Sequence, residues 1–89
     1  MGNVLGERLR EARERRGWRP EDVAVALRRS ASAIVAYEHG SRVPRADVLA
    51  QLAQVLGVSA DWLLGLDAYS SPYVRAAQTR LEQRHQEGS

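Results

Sequence analysis

The sequence predicts an all-α protein: five short helices followed by a sixth at the C-terminus. Three observations carry this expectation. No window alternates apolar and polar residues as a half-buried strand would. Apolar residues instead recur three and four positions apart in successive short windows. Residues that start or stop helices punctuate those windows, with Pro20, Ser30, Pro44, Ser59 and Pro72 at their beginnings and Gly17, Gly40, Gly57 and Gly65 at their ends.

The first window, about residues 3–16, puts Leu5, Leu9 and Ala12 on one stripe. The basic pair Arg15–Arg16 ahead of Gly17 suits a helix C-terminus. The second opens with Pro20, Glu21 and Asp22, a proline in the first turn and two acids at the positive end of the dipole, and buries Val23, Ala24 and Leu27. At about eight residues it is too short to stand alone and must pack on neighbours. Ser30 is an N-cap for a third helix, about 31–39, that Gly40 terminates. Only Arg28 and Arg29 separate the second helix from that cap, so the pair forms a helix-turn-helix. A fourth helix, about 45–56, turns Val48, Leu49, Leu52, Ala53 and Leu56 inward. A fifth runs from the cap Ser59 to Gly65 with Trp62, Leu63 and Leu64, of which one is expected to meet another subunit. The sixth, about 72–86, carries a thinner stripe of Val74, Ala77 and Leu81, which docks on its own domain or forms a dimer seam with Tyr69 and Tyr73.

Composition bounds the function. Eighty-nine residues make one small domain with a thin core. The absence of cysteine excludes disulfides, thiolate metal sites and a catalytic thiol. Without a charged-then-apolar leader or an apolar run of roughly 18–20 residues, the expectation is a soluble, cytoplasmic protein. No Ser–His–Asp arrangement, phosphate-cradling glycine loop or paired carboxylates point to an enzyme or a cofactor, and His39 and His85 lie too far apart in sequence to suggest a metal site. All thirteen basic residues are arginine, although the net charge is only +2. Arginine presents a planar fork of donors to phosphate, but a GC-rich coding sequence yields the same bias, so the count alone does not show nucleic-acid binding.

The third helix can be drawn on a wheel at about 100° per residue with Ile34 facing the core. Tyr37 and Ala31 then flank Ile34, while Ser32, Ala36 and His39 point away, with Val35 and Ala33 at the boundary. Glu38 falls on the inner side, and a half-buried carboxylate requires a partner. Arg13 sits on the inner edge of the first helix and is one candidate; the alternative is that Glu38 reaches solvent past the helix end.

From Leu5 to Gly65 the chain resembles the Cro/C1-type (Xre-like) helix-turn-helix of phage repressors and bacterial regulators. The matching pieces are GERLREARERRGW at 6–18, EDVAVAL at 21–27, then Ser30, Ile34, Tyr37–Gly40, Val43–Pro44, and LAQLAQVLGVSADWLLG at 49–65. No single piece is diagnostic; the ordered set is. The resemblance implies a compact five-helix, lambda-repressor-like domain over residues 1–66. Residues 67–89 would form a C-terminal helical extension available for dimerisation. It further implies a homodimer on double-stranded DNA with the third helix in the major groove, and an internal Arg13–Glu38 ion pair. Ser30, Ala31, Ser32, Val35, Ala36 and His39 fall where the family contacts DNA, and Arg42 and Arg45 where it meets phosphates. Arg19, Arg28 and Arg29 complete a ring of candidate phosphate contacts.

Three departures stand out. Pro20 replaces a phosphate-contacting glutamine and has no donor. Arg28 replaces a positive-φ glycine in the turn, so either the turn differs or Arg28 is kept for phosphate. The exposed face of the third helix carries no Arg, Lys, Gln or Asn, the usual readers of base edges. Three readings of that face stay open. Small side chains can pack on thymine methyls, with Ser32 and His39 giving single hydrogen bonds. Arginines on phosphates can supply affinity while DNA shape supplies specificity. Or the face binds a protein partner, as in an antitoxin or an anti-regulator.

Overall fold

The structure, a computed structural model, describes residues 2–67 and 72–87. Its regular structure among those residues is all helix: α1 (Val4–Arg15), α2 (Pro20–Leu27), α3 (Ala31–His39), α4 (Ala46–Leu56), α5 (Ala60–Leu63) and α6 (Pro72–Glu87). Among the described residues no helix is long and apolar enough to cross a membrane.

Helix ends follow local chemistry. Ser30 Oγ accepts from Ala33 N at 3.2 Å, and Ser59 Oγ from Trp62 N at 3.0 Å, so each serine supplies an acceptor for a helix-start N–H. At α2, Asp22 Oδ2 accepts from Arg19 N at 2.7 Å, one half of a capping box, behind a proline that needs no donor. Two helix starts differ from expectation by one residue. Asn3 is the cap of α1 and not its first turn, its Oδ1 accepting from Gly6 N at 3.1 Å. Arg45 is extended, with ψ 161°, so α4 begins at Ala46.

The core is one cluster to which each of the first five helices contributes. Leu9, Val23, Ile34, Leu52 and Leu63 are completely buried, and Ala12, Ala24, Tyr37, Val48 and Leu56 close round them. Leu5 and Leu49 are only half-buried at its edge. In α5, Leu63 takes the core position, Trp62 is half-buried and Leu64 is exposed. The Trp62 ring is covered from within the chain, by the guanidinium groups of Arg8 at 5.0 Å and Arg15 at 5.7 Å. Arg8 also donates to Trp62 O and to Asp67 Oδ1 at 2.7 Å, a bond that holds the Asp67 carboxyl below its ordinary pKa. Of the expected seam on α6, Tyr69 and the Val74 side chain lie outside the described residues.

Two backbone positions impose unusual demands. Gly6 is buried where α1 crosses α3: a Cβ there would stand 2.2 Å from Glu38 O. Arg28 turns the chain from α2 into α3 at φ 55°, ψ 46°, in the left-handed region expected to favour glycine. It is the one non-glycine residue with positive φ among those described. The turn does not differ from the expected one; the arginine is held in it, with Arg29 N donating to Ala24 O at 2.9 Å.

Two measurements check these points. Gly6→Ala should destabilise the protein by about 1–3 kcal/mol despite the better helix propensity of alanine, because the backbone of α3 must give way. Thermal unfolding that shows a gain would mean the two helices do not approach this closely. Arg28→Gly should stabilise by about 0.5–1 kcal/mol, relieving left-handed strain but loosening the unfolded chain. That is a rise of a few degrees in Tm for a domain of this size, and a fall would exclude the left-handed turn.

Candidate nucleic-acid interface

The site is α3 and the segments that enter and leave it. Its inner face, Ala33, Ile34 and Tyr37, is buried. Ser32, Val35 and His39 are exposed, and Ala31 and Ala36 are half-buried. Ala33, expected at the boundary, is 6% exposed and belongs to the core. The Ser32 hydroxyl is not idle, since its Oγ lies 3.1 Å from Ser30 Oγ. His39 closes the helix with its side chain towards solvent.

α3 is aimed by what grips it from behind. Arg13 Nε donates to Glu38 Oε2 at 2.8 Å and Arg13 Nη2 to Glu38 Oε1 at 2.9 Å, a parallel two-bond fork. Arg13 Nη1 donates to Trp18 O at 2.8 Å, so one guanidinium joins α1, the approach to α2 and the last turn of α3. Both side chains are shielded, with 11% and 6% of their surface exposed. The hydrogen bond to Glu38 raises the pKa of Arg13 further above its ordinary value and outweighs the opposing effect of burial. Beside this pair, Asn3 Nδ2 donates to Glu38 O at 2.8 Å, so Asn3 caps α1 and takes up a C-terminal carbonyl of α3 together.

The exit from α3 is equally fixed. Gly40 takes φ 81°, and Ser41 N, Ser41 Oγ and Arg42 N all donate to Ala36 O at 3.1–3.3 Å. This turn lays the Arg42 guanidinium over the Tyr37 ring, 5.7 Å from its centroid. Arg19, Arg28, Arg29, Arg42 and Arg45 are all exposed. They border α2, the α2–α3 turn and the loop between α3 and α4. Arg45 lies 3.6 Å from Asp47, which neutralises part of its charge.

Sequence reasoning missed Asn3, Gly6, Ser41 and Asp47. Asn3 was legible in principle as an asparagine just ahead of an apolar run, and Gly6 as an isolated glycine inside a helical pattern. The reach of Asn3 to residue 38 has no sequence signal.

Two short helices meeting at a tight left-handed turn, with the second braced from within and bare on its outer side, define a helix-turn-helix domain. A family model described as a helix-turn-helix domain matches residues 4–63, from α1 through α5, and the chain belongs to that family, within its Xre-like branch. Two proteins of Bacillus subtilis (strain 168) are similar to it. The HTH-type transcriptional regulator ImmR is 38% identical over 66 residues, 74% of this chain and 52% of that protein. The uncharacterized HTH-type transcriptional regulator YazB is 38% identical over 60 residues, 67% of this chain and 87% of that protein. The chain thus matches about half the length of ImmR. No solved structure matches it.

The brace gives a direct test. Glu38→Ala leaves the shielded Arg13 guanidinium unpaired and should lower stability by about 3–5 kcal/mol. Replacing both partners by apolar residues, Arg13→Met with Glu38→Leu, should recover most of that loss. Chemical denaturation of the three variants would show it. A near-neutral effect of Glu38→Ala would mean the pair does not hold α3.

Proposed function

We propose that the chain is a sequence-specific, DNA-binding transcriptional regulator of repressor type, acting in the cytoplasm as a homodimer. Residues 1–66 are its DNA-binding unit and residues 67–89 its dimerisation element. The observation that carries the reading is an α3 locked from behind and open in front, bordered by five exposed arginines. The relatives named as transcriptional regulators support it.

In this reading α3 enters the major groove, and two copies read half-sites about one helical turn apart. Small side chains at Ala31, Ser32, Val35 and Ala36 let the helix approach the groove floor, where Val35 and the alanines meet thymine methyls. His39 supplies a hydrogen bond at the far end. Ser32 engages a base by exchanging its contact with Ser30. Arg19, Arg28, Arg29, Arg42 and Arg45 bind phosphates and supply most of the affinity. Arg42 does so from a stacked, pre-set position over Tyr37, which lowers the entropy lost on binding.

A second reading rests on three exposed valines. Val25 is 78%, Val35 38% and Val43 82% exposed. They lie on α2, on α3 and in the loop after α3, and this apolar decoration suits a protein partner that competes with DNA for the helix-turn-helix.

Binding to genomic fragments across a salt series decides between them. Expected is a steep fall in affinity with salt, and a slope reduced by about 0.9 in Arg42→Ala with all sequences weakened alike. His39→Ala should lower the preference for the best site by about 0.5–1.5 kcal/mol while leaving the slope unchanged. Absence of binding at low salt would remove the DNA reading and leave the protein partner.

A further inference from the structure

Two surfaces outside the helix-turn-helix are left uncovered, and their chemistries are opposite. The first is on the body. Val4, Leu64 and Leu66 are 40%, 42% and 45% exposed. They are contiguous, because Val4 packs on the backbone of Gly65, where a Cβ would stand 2.9 Å from Val4 Cγ1. Two exposed acids border them: Glu7, one turn beyond Val4 on α1, and Asp61, one turn before Leu64. Neither acid is in an ion pair with another described residue.

The second surface is α6. Tyr73, Ala77, Arg80, Leu81 and Arg84 line one shallow groove along it. Tyr73 is 83% and Leu81 54% exposed, and the helix has no extended interface with α1–α5 among the described residues. The stripe is apolar with two cations set on it. Between residues 73 and 84 the one acid is Glu82, about half a turn round the wheel from the centre of the stripe. The protein extends 60 Å with a radius of gyration of 17.9 Å, against about 12 Å for a compact chain of this length. α6 therefore stands clear of its own body.

We infer that α6 of each copy docks on the Val4–Leu64–Leu66 patch of a second copy, with Arg80 and Arg84 facing Glu7 and Asp61. The exchange is reciprocal, so one two-fold axis covers both patches and both stripes, as a closed dimer requires. It also gives α6 the tertiary packing that a thinly apolar helix of 16 residues needs to persist in water. The two-fold arrangement of the proposed function acquires a surface, and the association is measured without DNA, so either idea can fail alone.

The test is sedimentation equilibrium of the full chain, without DNA, on charge-reversed variants. The unmodified protein should sediment as twice its 9.9 kDa. Arg80→Glu with Arg84→Glu should weaken the dimer by about tenfold or more, as should Glu7→Arg with Asp61→Arg. Combining all four should restore it. Circular dichroism on each variant separates loss of association from loss of helix. A single-chain mass at every concentration would overturn the inference, including the case in which α6 folds back on its own body. A dimer untouched by reversal of Glu7 and Asp61, or one strengthened by Arg80→Glu with Arg84→Glu, would also overturn it, since both mean α6 pairs elsewhere. Band-shift assays on the same samples report on DNA independently: a monomer that still binds leaves the DNA reading in place.

Discussion

One guanidinium sets the geometry of the helix-turn-helix. Arg13 spans α1, the backbone at Trp18 and the last turn of α3, and it uses every face of its fork to do so. An arginine with this little exposure is tolerable because it is paired; strip away the Glu38 carboxylate and the desolvated cation keeps only the Trp18 carbonyl and the more distant, exposed Glu14. The consequence is directional rather than merely stabilising. A nine-residue helix has too few internal bonds to hold its own attitude. Here its C-terminal end is tied at Glu38 by side chain and by main chain, while Ile34 and Tyr37 anchor its middle. The outer face is therefore presented by a rigid support.

The turn ahead of α3 shows the opposing tendency. A left-handed arginine is strained by roughly 1–2 kcal/mol, in a domain whose total stability is small by nature. A residue that sits against its conformational preference at the edge of a candidate binding surface fits a role in that surface rather than in the fold. Pro20 is the reverse case: it starts α2 well but gives up a backbone donor.

Much of the fold was legible because its determinants are local. Pro20 fixes a helix start through its locked φ, Ser30, Gly40 and Gly57 fix helix ends through bonds within four residues, and those ends were read to the residue. Boundaries slipped at Asn3 and Arg45, where the deciding factor is which single residue leaves the helical region, a choice that periodicity does not encode. The core positions followed from spacing, except that Leu5 and Leu49 fall at the rim and Ala33 falls in the core, since a stripe gives no information on depth. The long-range ties were the least legible. The wheel placed Arg13 and Glu38 on inner edges of two helices without deciding between a pair and a solvent-facing acid. The contacts of Asn3 with Glu38 O, of Arg16 Nε with Leu56 O and of Arg8 with Trp62 O join side chain to backbone over 35 to 54 residues. Backbone carbonyls carry no residue type, so no pattern announces them. Within the interface, the outward face of α3 was readable from the inner one, whereas the stacking of Arg42 on Tyr37 depends on the course of the loop between them.

The position of Asn3 bears on how such a protein is handled. Its amide lies against Gly40, where a Cβ would come within 2.9 Å of Asn3 Nδ2, so residue 3 sits beside the exit of α3. A bulky label attached at that position would stand at the margin of the helix-turn-helix. A label intended to leave that face undisturbed belongs away from residue 3.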